Sequence, residues 1–338
     1  MLVVVLVSIG IATSTHIPYY AISPGAAVSV EPLVHVKDGP SFDPKGEILL
    51  CTVGLRRTTI VEALRGWLDP TIDVVREKAI VPPDVGPRKL REFNLQLMDT
   101  SKQQALAVAF EELGYDVVRG KGAEVEAVAE ETPAVAVVHK GDVIEAIDGT
   151  PTNLHTDAVR ILRGHQPGDT VRLTIRAARA DAVHDKSVVL AANPDRPKRG
   201  YLGVVLKTHE PSFDFPYEVD LESERIGGPS AGLAFTLEVL DILTEGELTG
   251  GRKVAATGTM ELDGTVGQVG GVTQKTVAVR EAGVDIFLVP AGEAKLARKM
   301  AGDDLRVEPV RNLRDALRIL ASLGGNGLAL DRPGKSGA

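Results

Sequence analysis

A chain of 338 residues is long enough for two or three domains, and a hydrophobic content of 43% is ample for packed cores. Its net charge of −8, with no basic cluster, argues against nucleic acid as the main partner. The single cysteine, Cys51, excludes an internal disulfide. It lies in the apolar run from Ile48 to Val53, which suits a small buried hydrophobe better than a reactive thiol.

No charged residue precedes Glu31, and the run from Leu2 to Ala12 is strongly apolar. Thr13, Ser14, Thr15 and His16 then dilute it, so it falls short of the roughly 20 residues that a spanning helix needs. Residues 1–20 read as a short hydrophobic anchor whose start is truncated, since the Lys or Arg that opens a signal peptide is missing. Val3, Val4 and Val5 keep a buried first strand open as the alternative.

Residues 21–114 form an α/β region. Ile48 to Val53 is a predicted strand, and Thr58 to Leu68 a helix stopped by Asp69-Pro70. Val81-Pro82-Pro83 and Gly86-Pro87 read as loop. Thr100 with Gln103 has the spacing of a capping box, which predicts a helix from Ser101 to Leu113 closed by Gly114.

Residues 115–195 alternate as strands do. Gly122 to Ala129, Asp142 to Gly149 and Val171 to Ile175 are the candidates, with a short helix near Thr156 to Arg163 between the last two. This order of elements, with the string Gly141-Asp-Val-Ile-Glu-Ala-Ile-Asp-Gly-Thr-Pro151, resembles a PDZ domain. The resemblance implies that an extended peptide adds to an exposed sheet edge while backbone amides receive its carboxylate. The loop Arg119-Gly120-Lys121-Gly122 is the candidate carboxylate site, with Ala123 to Val125 as the docking edge. A β-hairpin domain with no ligand is the alternative. Asn193 to Pro197 reads as a linker.

The stretch Gly227-Gly228-Pro229-Ser230-Ala231-Gly232 precedes an apolar run, Leu233 to Leu243, in which only Thr236, Glu238 and Asp241 are polar. The spacing predicts a helix buried nearly all round, with Pro229 at its first position and open first-turn amides beside Ser230. A turn followed by a plain helix cap is the bland alternative. If Ser230 is a nucleophile, its base must be found. All seven histidines precede it, which excludes the Ser-acid-His order of the α/β-hydrolase elbow, and none stands in a recognisable catalytic context. A lysine base becomes the leading candidate. Lys275 shares the inward stripe of Val272 and Val279, whereas Lys295 and Lys299 fall off the Ala294, Ala297, Met300 and Ala301 stripe. Burial lowers a lysine pKa and lets the amine accept a proton, although a helix-edge lysine that snorkels to water would fit the same spacing.

Downstream, Asp263-Gly264 predicts a hairpin between Val254–Leu262 and Thr265–Val269 that delivers Gly270-Gly271 to the Lys275 helix. Val284 to Val289 is a predicted strand, and Asn312 caps a helix from Leu313 to Leu323. Residues 325–338 read as a flexible tail. Gly334-Lys335-Ser336 is a chance match to a P-loop, because position 329 is alanine and no strand leads in.

The motif from Gly227 to Gly232, followed by Gly270-Gly271-Val272-Thr273-Gln274-Lys275, resembles the proteolytic domain of Lon-type Ser-Lys peptidases over about residues 200–322. The opening Pro18-Tyr-Tyr-Ala-Ile-Ser-Pro-Gly25 resembles a bacterial group of membrane-anchored PDZ-Lon proteins. The resemblance implies Ser230 as nucleophile and Lys275 as general base, supported by Thr257 and by Gly228, Pro229 and Ala231. One departure is Gly227, where the family often carries aspartate. The expected fold class is multidomain α+β: an anchor remnant, residues 21–114 packing on the protease domain, a PDZ-like domain at 115–195 and a Lon-like domain at 196–324. The expected function is an ATP-independent, membrane-anchored serine endopeptidase that needs no cofactor or metal and recruits protein or peptide substrates in part through the PDZ domain. The resemblance further implies an extracytoplasmic catalytic domain and ring-like homo-oligomers. An inactive peptide-binding scaffold is the alternative.

Overall fold

The computed structural model describes residues 13–81, 85–178, 182–223 and 226–330. Strand β1 (His16–Ser29) comes first, followed by β2 (Glu47–Thr59), helix α1 (Ile60–Leu68), β3 (Asp73–Arg76) and the long helix α2 (Pro87–Glu112). Next are β4 (Ala123–Val128), β5 (Val143–Ile147), α3 (His155–Leu162), β6 (Thr170–Arg176), β7 (Val183–Val189) and β8 (Val204–Thr208). The last part holds α4 (Gly232–Leu243), β9 (Lys253–Ala256), β10 (Thr259–Met260), β11 (Val266–Gly267), α5 (Val272–Glu281), β12 (Ile286–Pro290), α6 (Ala294–Ala301), β13 (Arg306–Val310) and α7 (Leu313–Ser322).

These elements fall into two units: residues up to Asp116 together with Phe215 onward, and Val117–Asp214 between them. The first unit is built on a six-stranded sheet ordered β13-β12-β9-β2-β1-β3. Residues 21–114 are therefore no separate layer packed on residues 196–324, because β2 runs parallel to β9, with Glu47 opposite Lys253 and Leu50 opposite Ala256. Ile48, Leu49, Leu50 and Cys51 are all buried, as a central strand covered on both faces requires. That explains why they read as an unbroken apolar run rather than an alternating one.

The local signals hold in several places. Thr59 caps α1 with a capping box to Glu62, and the helix ends at Asp69. All twelve residues of α4 are buried. The Asn312 side chain accepts the Asp315 amide at the start of α7. Others differ. Helix α2 starts at Pro87 rather than Ser101, because the Thr100 hydroxyl bonds back to the Gln96 carbonyl at 3.1 Å inside a continuing helix. The hairpin at Asp263-Gly264 is confined to β10 and β11, while β9 leaves for the main sheet. Residues 325–330 are no loose tail: the Asn326 amide donates to the Glu247 carbonyl at 2.9 Å and its side chain to the Glu245 carbonyl at 3.0 Å. Residues 331–338 and the hydrophobic start at 1–12 lie outside the described residues. Among the described residues no helix is long and apolar enough to cross a membrane.

The second unit is a sheet ordered β7-β6-β5-β4-β8, closed over by α3 around a core that includes Val125, Ile144, Ile147, Leu173 and Ile175. Its last strand, β8, lies beyond Asn193–Pro197, so that proline-rich stretch is inside the unit and not a linker after it.

Candidate active site

Three segments of the first unit converge on one cleft of about 860 Å³, whose lining includes Ser230, Lys275, Cys51, Gly228 and Asn94. The loop before α4 is held from both sides. The Ser101 hydroxyl on α2 donates to the Pro229 carbonyl at 2.9 Å, and the Gly228 amide donates to the Asn94 carbonyl at 2.8 Å. Gly228 sits at φ +91°, a backbone state that a side chain would strain. The Ser230 carbonyl accepts the Gly258 amide at 3.0 Å and the Thr257 hydroxyl at 3.2 Å. Those bonds draw Ser230 out of helical pairing, so α4 starts at Gly232, with Ala231 as its N-cap, rather than at Pro229.

Lys275 comes from the other side on α5. Gly271, left-handed at φ +68°, starts that helix, and an added Cβ there would meet Val53 Cγ1 at 2.8 Å. Val272, Lys275 and Val279 are 3, 2 and 0% exposed, as the inward stripe predicts. The Lys275 amine donates to Thr257 Oγ1 at 3.1 Å. Thr257 is fully buried, its amide held by the Leu288 carbonyl at 3.0 Å. One hydroxyl thus accepts from the lysine and donates to the serine backbone. Among the described residues the link between Ser230 and Lys275 runs through this threonine, and no direct bond joins the serine hydroxyl to the amine.

Burial holds the Lys275 pKa below the ordinary lysine value, opposed by the nearby Cys51 and Glu293. Burial in turn pushes the Cys51 thiol up, with Lys275 and Thr257 opposing it, and raises the Glu293 carboxyl. The arrangement puts a lysine of lowered pKa and a partly exposed serine on one cleft, a combination suited to general-base activation. Ser230, Lys275, Gly228, Pro229 and Ala231 all line the cleft, with Thr257 behind it. The sequence reading missed the contribution of α2. An Asn94 whose main chain grips the loop carries no signal in its side chain. Gly227 lies against the same residue, with 3.0 Å between an ideal Cβ and the Asn94 Cβ.

The peptide-binding assignment in the second unit changes. Strand β4 is paired on both sides, with β8 and with β5, so Ala123 and Val125 offer no open edge. The Lys121 amide donates to the His209 carbonyl and the Gly122 amide to the Asn153 carbonyl, both at 3.0 Å, so neither is free for a carboxylate. Gly120 is wedged in, with an ideal Cβ 2.4 Å from Thr208 Cγ2. Among the described residues β8 pairs only with β4, and its outer edge borders a groove of about 400 Å³ lined by Val159, Leu162, Arg199, Gly203 and Leu206. The signal for it was Tyr201-Leu202-Gly203-Val204, with Gly203 at φ +80° opening the strand.

Residues 101–186 match the family model of the PDZ domain, and residues 224–322 match that of the Lon protease (S16) C-terminal proteolytic domain. The chain carries a PDZ domain followed by a Lon-type proteolytic domain. It is 36% identical over 98 residues to a Lon protease from Chloroflexus aggregans, covering 28% of this chain and 12% of that protein. A Lon protease from Halothermothrix orenii is 25% identical over 251 residues, covering 71% of this chain and 31% of the relative. The chain thus spans less than a third of the length of these relatives. Among solved structures, the PDZ domain of an SdrC-like protein from Listeria monocytogenes is 27% identical, covers 25% of this chain and 87% of its own, and has a TM-score of 0.24.

Proposed function

We propose that the chain is a serine endopeptidase in which Lys275 deprotonates Ser230, the serine oxygen attacks a peptide carbonyl, and amides of the turn before α4 hold the oxyanion. The lysine then returns its proton to the leaving amine, and water releases the acyl group by the same route. The observation that carries this reading is the buried Lys275 amine, anchored through Thr257 to the Ser230 backbone on the wall of an open cleft.

The groove along β8 supplies a second place for a peptide to dock, by strand addition with its carboxylate toward Gly200–Gly203, and so recruits substrates. The apolar residues before β1 tether the chain to a membrane as a single pass with the catalytic unit on the extracytoplasmic face. Cleavage proceeds without ATP, and the proteolytic units assemble as a ring. The composition of residues 1–12 supports the tether, and the Lon-type domain supports the ring.

The test is cleavage of an unfolded protein or peptide library by the wild type, by Ser230→Ala and by Lys275→Ala, without nucleotide. Both variants are expected to lose turnover. Cleavage retained by Ser230→Ala would rule out the mechanism, and a wild type that binds C-terminal peptides without turning them over would favour the scaffold reading.

A further inference from the structure

Helix α1 wears its apolar stripe on the outside. Ala63 and Gly66 face inward, so tightly that an added Cβ at Gly66 would meet Val74 Cγ2 at 2.6 Å. The opposite face presents Ile60, Leu64, Trp67 and Leu68, spaced i, i+4, i+7 and i+8, and they are 40, 52, 62 and 86% exposed. Four large apolar side chains in one helical stripe form a patch of the kind that marks an interaction surface.

Two observations indicate what covers it. The β1–β2 register sets His16 opposite Thr59, the N-cap of α1, so the start of β1 lies at the N-terminal end of this helix. Residues 1–12, which precede that strand in the sequence, carry no charge and are mostly aliphatic in composition. Charge is the second observation. The chain is acidic overall, yet residues 55–80 carry Arg56, Arg57, Arg65, Arg76 and Lys78 against Glu62, Asp69, Asp73 and Glu77, a local excess of one positive charge. Arg56 pairs with Glu62 at 3.2 Å yet keeps 74% of its side chain exposed, and Arg65 is exposed on α1 itself. Arginines beside an apolar helical stripe that includes tryptophan suit the boundary between phospholipid headgroups and acyl chains.

We propose that α1 lies flat on a phospholipid surface, with Ile60, Leu64, Trp67 and Leu68 in the acyl boundary and Arg56 and Arg65 at headgroup phosphates. A second copy of the chain would bury the same stripe, but the uncharged apolar sequence that precedes the strand starting at this corner favours lipid. The inference relies on the membrane tether proposed above only for delivery to the surface; the contact of α1 is a separate statement.

Trp67 is the only tryptophan in the sequence, so selectively excited tryptophan fluorescence reports on this helix alone. The full chain is reconstituted with vesicles of phosphatidylcholine and phosphatidylglycerol, with or without lipids brominated near the headgroup end of the acyl chain. The expected result is flotation with the vesicles, a blue-shifted Trp67 emission and roughly twofold or greater quenching by the brominated lipid, as for a helix seated in the interface. The exposed pair Leu64→Ser with Leu68→Ser should lose most of the quenching while still floating and still cleaving peptide. A chain that floats with Trp67 unquenched overturns the inference and leaves the tether standing. A chain that does not float, with emission unchanged, removes both. A blue shift without lipid, together with a dimer in solution, assigns the stripe to a second copy and overturns the inference.

Discussion

The Lys275 amine donates to Thr257 Oγ1 at 3.1 Å, and the same hydroxyl donates to the Ser230 carbonyl at 3.2 Å, so one buried threonine fixes both halves of the candidate dyad. Removing the hydroxyl leaves a buried amine without its acceptor, at a cost of about 1–3 kcal/mol. Thr257→Val is therefore expected to lower kcat by roughly tenfold or more, because the amine is no longer held, while Thr257→Ser restores most of it. Steady-state cleavage of a fluorogenic peptide by the two variants checks this, with KM expected to change less than kcat.

Burial depresses the Lys275 pKa below that of a free lysine, and the base works only when neutral. The kcat/KM for peptide cleavage should rise with pH and level off at a pH below the ordinary lysine range near 10.5. For stability the sign follows from the same depression. The stability that Lys275 contributes is fully present above the unfolded pKa and is lost as pH falls from there through the depressed folded value. Lys275→Met should flatten this part of the profile, as measured by urea unfolding across alkaline pH.

Helix α4 carries two buried acids on the side chains of Glu238 and Asp241. Burial is the main cause that pushes Glu238 up to about 9, helped by the Asp241 carboxylate, and Asp241 rises to about 7 despite accepting the Leu248 amide. A raised carboxyl stabilises the fold most below its unfolded pKa, and that stability is lost as pH rises toward the folded value. The wild type should lose on the order of 1 kcal/mol per pH unit between about pH 5 and the values reached by these two groups. Glu238→Gln should remove the upper part of that loss. Urea midpoints at a series of pH values read both.

Moving the peptide groove from the Gly120–Val125 segment to the edge of β8 makes a direct comparison. Leu162→Ser and Leu206→Ser, which touch the groove, should weaken binding of a C-terminal peptide by about tenfold, the scale of one lost apolar side-chain contact. Lys121→Ala should leave the affinity unchanged, since that side chain pairs with Glu210 at 2.7 Å. Fluorescence anisotropy of a labelled peptide distinguishes the two sites.

How far the sequence could be read depended on how local each signal was. Lys275 was legible because its helical phase with Val272 and Val279 is a matter of three residues on one side and four on the other, and Ser230 because a glycine-proline-serine loop precedes an unmistakably apolar helix. Thr257 was reached by resemblance, and the chain of bonds through its hydroxyl is a tertiary fact that no local pattern encodes. Asn94 left no trace, since it acts through its main-chain carbonyl. The peptide edge was misplaced for a related reason. Alternation marks a strand but not its neighbours, and β4 became central only when β8, beyond a proline-rich stretch, paired with it. The early strand at Ile48–Val53 was visible, but its parallel partner lies in β9, some two hundred residues away.

That long-range pairing constrains the order in which a ribosome can complete the molecule. Strand β2 emerges early and can pair with β1, but it has no parallel neighbour until β9 has been synthesised, so the six-stranded sheet stays incomplete beside apolar Ile48, Leu49 and Leu50 until then. The unit from Val117 to Asp214 has its own sheet and core and can fold meanwhile. Once compact, it shortens the flexible loop that β2 and β9 must close, which lowers the entropic cost of their meeting. Within the first unit, the two chain segments that flank the second meet where the Tyr115 and Tyr217 hydroxyls lie 2.9 Å apart beside Phe110 and Phe215. A chain that brings Ser230 and Lys275 to one cleft only after this closure has no complete candidate site to offer while it is still being made.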